Sequence, residues 1–314
     1  MDITDIEKAR ERIKPFVKRT ALEYSQTLSQ ALGTNVSVKL ELFQKTGAFK
    51  ARGAFNKLLS LSDEEKARGV VAVSGGNHGQ AVAYASNVLG IKAVVLMPRT
   101  TPHNYVEATL GYGAEVDLQP TIADCFNEKD RYVAEGLIFV HPFEDPLVMA
   151  GQGTIGLEIL EDLPQTTDII LSIGGGGLAG GVATAVKAVK PEVRIWGVET
   201  KGANAMWRAL DAGKPVRIEI TSIAKTLGAD MVSEATLKLA QKHLESVTVV
   251  SDAEAVEALQ FILERLKILT EPAASCTLAA AKRLKNQFNQ DNHVVLIFCG
   301  GNLSLNDLCG YVGR

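Results

Sequence analysis

The sequence predicts an α/β fold of two domains, each a mainly parallel open sheet flanked by helices. Three observations predict it. Short apolar runs of strand length alternate with stretches whose apolar residues recur every three or four positions. That alternation is what a parallel sheet needs, because each crossover helix covers one of its faces. Several of the runs end in clusters of Gly, Ser or Asn just ahead of a helix, the end at which open parallel sheets bind ligands.

In chain order the expected strands are VVAVS (70–74), KAVVLM (92–97), AEVDLQ (114–119), LIFV (137–140), DIILSI (168–173), VRIWGVE (193–199) and HVVLIF (293–298). Between them HGQAVAYASNVLG, IGLEILEDL and DAEAVEALQFILERLKIL carry helical periodicity. The polar turn HPFEDP (141–146) marks one domain boundary. A second crossing near residue 40 makes the larger domain discontinuous, residues 1–42 and 146–314, with residues 43–145 forming the smaller one. A length of 314 residues suits about two domains, and no internal repeat or low-complexity segment divides the chain otherwise.

Composition is that of an ordinary globular protein, 46% apolar and 22% charged, so a core can form without disulfides or metal. A net charge of −3 gives no basic footprint for nucleic acid or for an anionic membrane surface. The amino-terminal MDITDIEKARERIKP is charged and unlike a secretory signal, and no apolar run reaches membrane-spanning length. The four cysteines, Cys125, Cys276, Cys299 and Cys309, form no CxxC pair and are too few for a disulfide scaffold. A cytoplasmic location is therefore expected.

One lysine stands out. In FQKTGAFKARGA (43–54), Lys50 follows Phe49 amid Gly, Ala and Phe. Burying an unpaired ammonium is costly. Either Lys50 faces water from one side of a helix, or desolvation lowers its pKa and makes it a nucleophile or base.

After DIILSI comes GGGGLAGG (174–181), six glycines in eight residues, followed by a helical ATAVKAV. Consecutive glycines let backbone N–H groups converge, and the positive end of the next helix adds to them, which makes an anion site suited to phosphate. Gly175, Gly177 and Gly180 also satisfy G-x-G-x-x-G, with Glu199 ending the next strand, so a nicotinamide-dependent oxidoreductase is a rival reading. That reading leaves Lys50 without a task. A second loop, SGGNHGQA (74–81), also joins a strand to a helix. Ser74 and Asn77 read either as helix caps or as part of a second anion cup for a carboxylate. Two cups and one misplaced lysine suggest a small amphoteric substrate and a phosphorylated cofactor in one cleft. A non-catalytic amino-acid-binding protein would account for the cups but not for the lysine.

Taken together, ELFQKTGAFKARGAFN, SGGNHGQAVAYA, HPFEDP with MAGQGTIGLEIL, GGGGLAGG, LTEPAAS and CGGN resemble the fold-type II pyridoxal-phosphate enzymes, in particular the threonine/serine dehydratase and serine racemase branch. They stand in that family's order and span nearly the whole chain. The resemblance implies a tryptophan synthase β-subunit-like fold, pyridoxal 5'-phosphate as cofactor, an L-β-hydroxy amino acid as substrate and a homodimer or other homo-oligomer. Lys50 would form the Schiff base, with Phe49 packed beside the ring and Asn77 bonded to the ring hydroxyl oxygen. Gly174, Gly175, Gly176, Gly177 and the N–H of Leu178 would hold the phosphate. Ser74, Gly75, Gly76, Asn77 and His78 would bind the substrate carboxylate. Cys299 takes the place of a serine that faces the pyridine nitrogen; a thiol there does not force protonation, which suits β-elimination over transamination.

The implied reaction has Lys50 remove the Cα proton, the cofactor take up the electron pair, and the β-hydroxyl leave with a proton from the cofactor phosphate. The product hydrolyses to a 2-oxo acid and ammonia.

Four departures refine this. Gly75 stands where racemases of the family carry a serine, so dehydration is expected to dominate. Ala205 stands where some relatives carry an acidic ligand near Glu199, so no metal site is expected. IAKTLG (223–228) replaces a more usual Ala-Asp-Gly turn, leaving room for larger substrates such as 3-hydroxyaspartate or phenylserine. The chain ends soon after CGGN, so no regulatory domain is expected. Glu271 is read either as a residue of the cofactor environment or as a first-turn acid, with Thr270 as cap and Pro272 opening the helix.

Overall fold

Short runs rich in Val, Ile and Leu become strands buried on both faces. The computed structural model describes residues 1–312. Among them are ten strands: β1 (Leu22–Tyr24), β2 (Asn35–Lys39), β3 (Val70–Val73), β4 (Ala93–Pro98), β5 (Glu115–Gln119), β6 (Ile138–Phe139), β7 (Asp168–Ser172), β8 (Arg194–Thr200), β9 (Ser246–Val250) and β10 (His293–Ile297). The seven expected runs are β3 to β8 and β10. The three unexpected strands are β1, β2 and β9. In β2 the run NVSVK ends in a lysine, which sequence pattern reads as a strand's wet end, yet Lys39 is fully buried.

The strands form a six-stranded sheet, ordered β1-β2-β10-β7-β8-β9, and a four-stranded sheet, ordered β5-β4-β3-β6. Every pairing is parallel except β1 with β2. Helices flank both sheets, and β3, β7 and β10 are buried along nearly their whole length, as parallel strands covered on both sides must be.

The order of each sheet reverses once. In the large sheet the chain runs outward through β7, β8 and β9, then returns to lay β10 on the other side of β7. In the small sheet it runs through β3, β4 and β5, then returns to lay β6 beside β3. Such switch points open a crevice at the carboxyl ends of the strands. The loops after β7 and β10 and those after β3 and β6 meet in one place.

What joins the halves is the helix Pro146–Asp162, opened by Asp145, whose Oδ1 accepts from Leu147 N, and by Pro146 at its first position. It is buried on all sides between the helices Lys50–Leu59 and Gly177–Val189. A buried ionic cluster pins it. The Arg52 guanidinium lies between Glu41, at 2.8 Å, and Glu158, at 2.6 Å, and Lys39 Nζ is 2.6 Å from Glu158. Two cations and two carboxylates therefore satisfy one another, which explains how Lys39 is tolerated inside β2.

Candidate active site

The cavity at the two switch points has a volume of about 390 Å³. Phe49, Lys50, the loop from Ser74 to His78, the glycines 174–177, Leu178 and Cys299 all border it. The residues singled out in the sequence are thus brought to one place from four separate segments.

The glycine loop is shaped by what presses on it. The buried strand β7 runs into residues 174–177, and the helix Gly177–Val189 starts within the glycine run. Its cap, Gly176, has φ +95°, a left-handed conformation that disfavours any side chain. A Cβ at Gly175 would lie 2.1 Å from the Phe143 ring. The first N–H groups of a helix have no partners within the helix, so this turn presents donors and a positive dipole to the cavity. A phosphate fits such a cradle by charge and by donor type.

Lys50 opens the helix Lys50–Leu59, and its segment is laced to the large sheet. Phe49 N donates to Cys299 O at 3.0 Å, and residues 48 and 300 form an isolated β-bridge. From that anchor Lys50 Nζ donates to Pro142 O at 2.7 Å and lies 5.2 Å from the Phe49 ring centroid. Among the described residues no carboxylate pairs with it, and burial pulls the amine down to about 8. The chemical reading of Lys50 fits this environment; it does not sit on a wet helix face.

The second loop differs from a simple capped entry. Ser74 Oγ accepts from Gly76 N at 3.1 Å, and Gly76, not Asn77, is the cap of the helix Asn77–Leu89. Asn77 turns away from the helix. Its Nδ2 donates to Glu271 Oε1 at 2.9 Å and its Oδ1 accepts from Asn302 Nδ2 at 2.8 Å. His78 Nε2 donates to Val140 O at 2.9 Å, which fixes the tautomer. Burial and then the Lys50 charge push His78 down to about 3, so the ring is neutral. An anion in this loop would be met by backbone N–H groups, not by an imidazolium.

Glu271 belongs to the cavity. The expected cap at Thr270 is absent: Thr270 Oγ1 is buried without a partner, and Glu271 itself precedes the helix Pro272–Arg283. Burial pushes Glu271 up to about 7, offset in part by hydrogen bonds from Thr226 and Asn77. Cys299 Sγ lies 3.4 Å from Ser172 Oγ, joining the ends of β10 and β7. Burial, then the neighbouring Glu271 charge, pushes its thiol up to about 12, so it is neutral.

Glu199 is used otherwise. Its two carboxylate oxygens accept from Met206 N at 2.9 Å and Trp207 N at 2.8 Å, at the start of the helix Ala205–Ala212. Glu199 is also fully buried and does not border the cavity, so it is not placed to meet a ribose there, which weakens the dinucleotide reading. Among the described residues, no group of three or more His, Cys, Asp or Glu is placed to hold a metal ion.

Pro142, Phe143, Thr226 and Asn302 shape the site and were not singled out for these contacts. All four lie in stretches already marked in the sequence, HPFEDP, IAKTLG and CGGN, but the contacts they make are with partners far away in the chain.

Comparison with known proteins gives the family. The family described as pyridoxal-phosphate dependent enzyme matches residues 13–300. An L-threonine ammonia-lyase of Thermotoga maritima is 40% identical over 97% of this chain and 76% of its own. A catabolic L-threonine dehydratase of Staphylococcus aureus is 39% identical over 99% of this chain and 92% of its own. The solved structure of maize serine racemase superposes with a TM-score of 0.93 at 35% identity, covering 99% of this chain and 97% of that one.

Proposed function

This chain belongs to the pyridoxal-phosphate dependent enzyme family, and from that premise we propose that it is an ammonia-lyase converting L-threonine or L-serine to the 2-oxo acid and ammonia. The observation that carries the reading is the convergence of an unpaired lysine amine, a glycine phosphate cradle and an N–H-rich loop on one cavity. The names of the relatives support the choice of substrate.

Residues 174–177 and the N–H of Leu178 would hold the cofactor phosphate, Phe49 would flank the ring, Asn77 would bond the ring oxygen, and Lys50 would be the amine that carries the cofactor. Bound pyridoxal phosphate supplies an electron sink for the pair left at the substrate Cα. The N–H groups of residues 74–78 bind the substrate carboxylate. Lys50 Nζ takes the Cα proton, and its lowered basicity keeps a useful fraction of the amine neutral near physiological pH. Cys299 stays a neutral thiol and places no full charge on the ring nitrogen.

Two side readings follow from specific observations. Racemisation is minor, since Gly75 has no side chain with which to return a proton. A longer substrate is admitted by the rim, where Ile122, Phe126 and Ile220 offer apolar surface and Lys225 a cation. The domains are residues 1–42 and 146–314, which carry the phosphate cradle, and residues 43–145, which carry the carboxylate loop. The protein works in the cytoplasm as a homodimer or other homo-oligomer; the free thiols of Cys276 and Cys299 in the core support a reducing compartment, and light scattering after gel filtration tests the assembly.

Oxo-acid release from L-threonine, L-serine, 3-hydroxyaspartate and phenylserine tests the function. Turnover of threonine or serine is the expected result, and absence of oxo acid from all four would overturn it.

A further inference from the structure

Glu271 is a carboxylate in a wall that an apolar residue would fill at lower cost. It is 2% exposed, and its Oε1 accepts from Asn77 Nδ2 and from Thr226 Oγ1, each at 2.9 Å. Its Oε2 is buried and has no hydrogen-bond partner among the described residues. An unpaired buried polar oxygen is costly and calls for a reason.

Two further observations give Glu271 a direction of action. Asn302 Nδ2 donates to Thr46 O at 2.7 Å and to Asn77 Oδ1 at 2.8 Å, so the Asn77 amide is held with its nitrogen toward Glu271. An amide nitrogen carries two protons. One serves Glu271, and the other remains for a group in the cavity. Glu271 also borders a second, smaller cavity of about 20 Å³, shared with Tyr105, Thr226, Asn302, Asp307 and Tyr311. That is room for about one water. A carboxyl between the two spaces can exchange its proton with that water without crossing the substrate cavity.

The charged and titratable groups around it leave Glu271 in control of this end. Tyr105 on the helix His103–Gly111, Cys276 on the helix that follows Glu271, and Cys299 after β10 are all pushed upward by burial and stay neutral. Lys225 and Asp307 face each other at 3.8 Å beside the small cavity. Lys50, on the main cavity, titrates at about 8 as a free amine, close to Glu271 at about 7; the variants below separate the two.

We propose that Glu271 is a positioning residue for the cofactor: by exchanging a proton with the water-sized cavity, it sets through the Asn77 amide how firmly the ring oxygen is held. This rests on the assignment of Asn77 to that oxygen made above. Ionised, the carboxylate draws the Asn77 amide toward Oε1. Protonated, it accepts less strongly and releases the amide toward the ring. The proton passes between a carboxyl oxygen and water, and no other bond changes.

The test is the visible absorption of the cofactor-loaded enzyme, without substrate, titrated across neutral pH. The wild type shows a midpoint near neutrality. In Glu271→Gln the band persists and the midpoint is lost. In Thr226→Val the loss of a donor to the charged form raises the midpoint, by about tenfold in proton affinity. If Glu271→Gln fails to fold, Thr226→Val alone decides. A visible band with the same midpoint in all three proteins, or no midpoint in the wild type, overturns the proposal while leaving the cofactor assignment standing. A wild type with no band that Lys50→Ala removes overturns both.

Discussion

The amine of Lys50 donates a 2.7 Å hydrogen bond to the backbone carbonyl of Pro142, across 92 residues of sequence. A carbonyl stabilises the amine's position but contributes no full negative charge. Partly buried at the cavity wall, the amine loses part of its hydration with no carboxylate beside it among the described residues, and burial is the main influence on its titration.

A pH dependence follows with a definite sign. Lys50 is protonated below about 8 and neutral above it. The rate at which cofactor-free protein takes up pyridoxal phosphate should rise with pH and level off above about 8, well short of the ordinary lysine value of 10.5. Stopped-flow absorption measures this directly. Lys50→Ala should abolish the visible band and lower kcat by at least ~10²–10⁴, the usual worth of a positioned general base.

The cradle is equally exposed to a single substitution. Gly175→Ala would set a methyl group 2.1 Å from Phe143 Cδ1, near the root of the ring, where rotation gives little relief. Overpacking of this kind costs about 1–3 kcal/mol. The loop must shift, and cofactor affinity should fall about tenfold or more, measured by equilibrium dialysis. Pairing it with Phe143→Ala should recover part of the loss, since the obstacle is then gone.

Behind the site, the Arg52 cluster makes a stability prediction. Arg52→Leu leaves Glu41 and Glu158 buried without their shared cation. Removing one partner of a buried pair costs about 3–5 kcal/mol, so the midpoint of urea unfolding should fall accordingly. Lys39 remains beside Glu158 at 2.6 Å. Glu41→Gln should therefore restore part of the lost stability in the double variant.

Gly75 is expected to favour elimination over racemisation. With L-serine, D-serine should form far more slowly than pyruvate, followed by chiral chromatography; comparable rates would refute this. Gly75→Ser alone should not create an efficient racemase. A Cβ at that position would lie 2.5 Å from Thr101 Oγ1, itself buried and without a partner. Racemisation should increase only when Gly75→Ser is joined to Thr101→Ala, which clears the space.

Some of this arrangement was readable from the chain alone. The cradle was, because a buried apolar strand, a glycine run and a helix follow one another without interruption. The place of Lys50 at the cavity was, because Gly, Ala and Phe surround it in the sequence. β1 was not, since three residues at an antiparallel edge carry no pattern. β2 was not, since the burial of Lys39 depends on Glu158, 119 residues away. For Glu271 the sequence left two readings open. Its local setting, Thr-Glu-Pro at a helix start, reads equally well as a capping motif, and only its partners from residues 77 and 226 reveal otherwise.

Residues 48 and 49 are stitched to residues 299 and 300, at the end of β10. The backbone just before the amine is thereby tied to the large sheet, while the helix that Lys50 opens packs in the core beside the small one. Permanent retention of a costly prosthetic group and rapid traffic of a metabolite make opposite demands on rigidity. Lys50 stands where the two sheets meet, so a substitution that loosens either one should be felt at the amine.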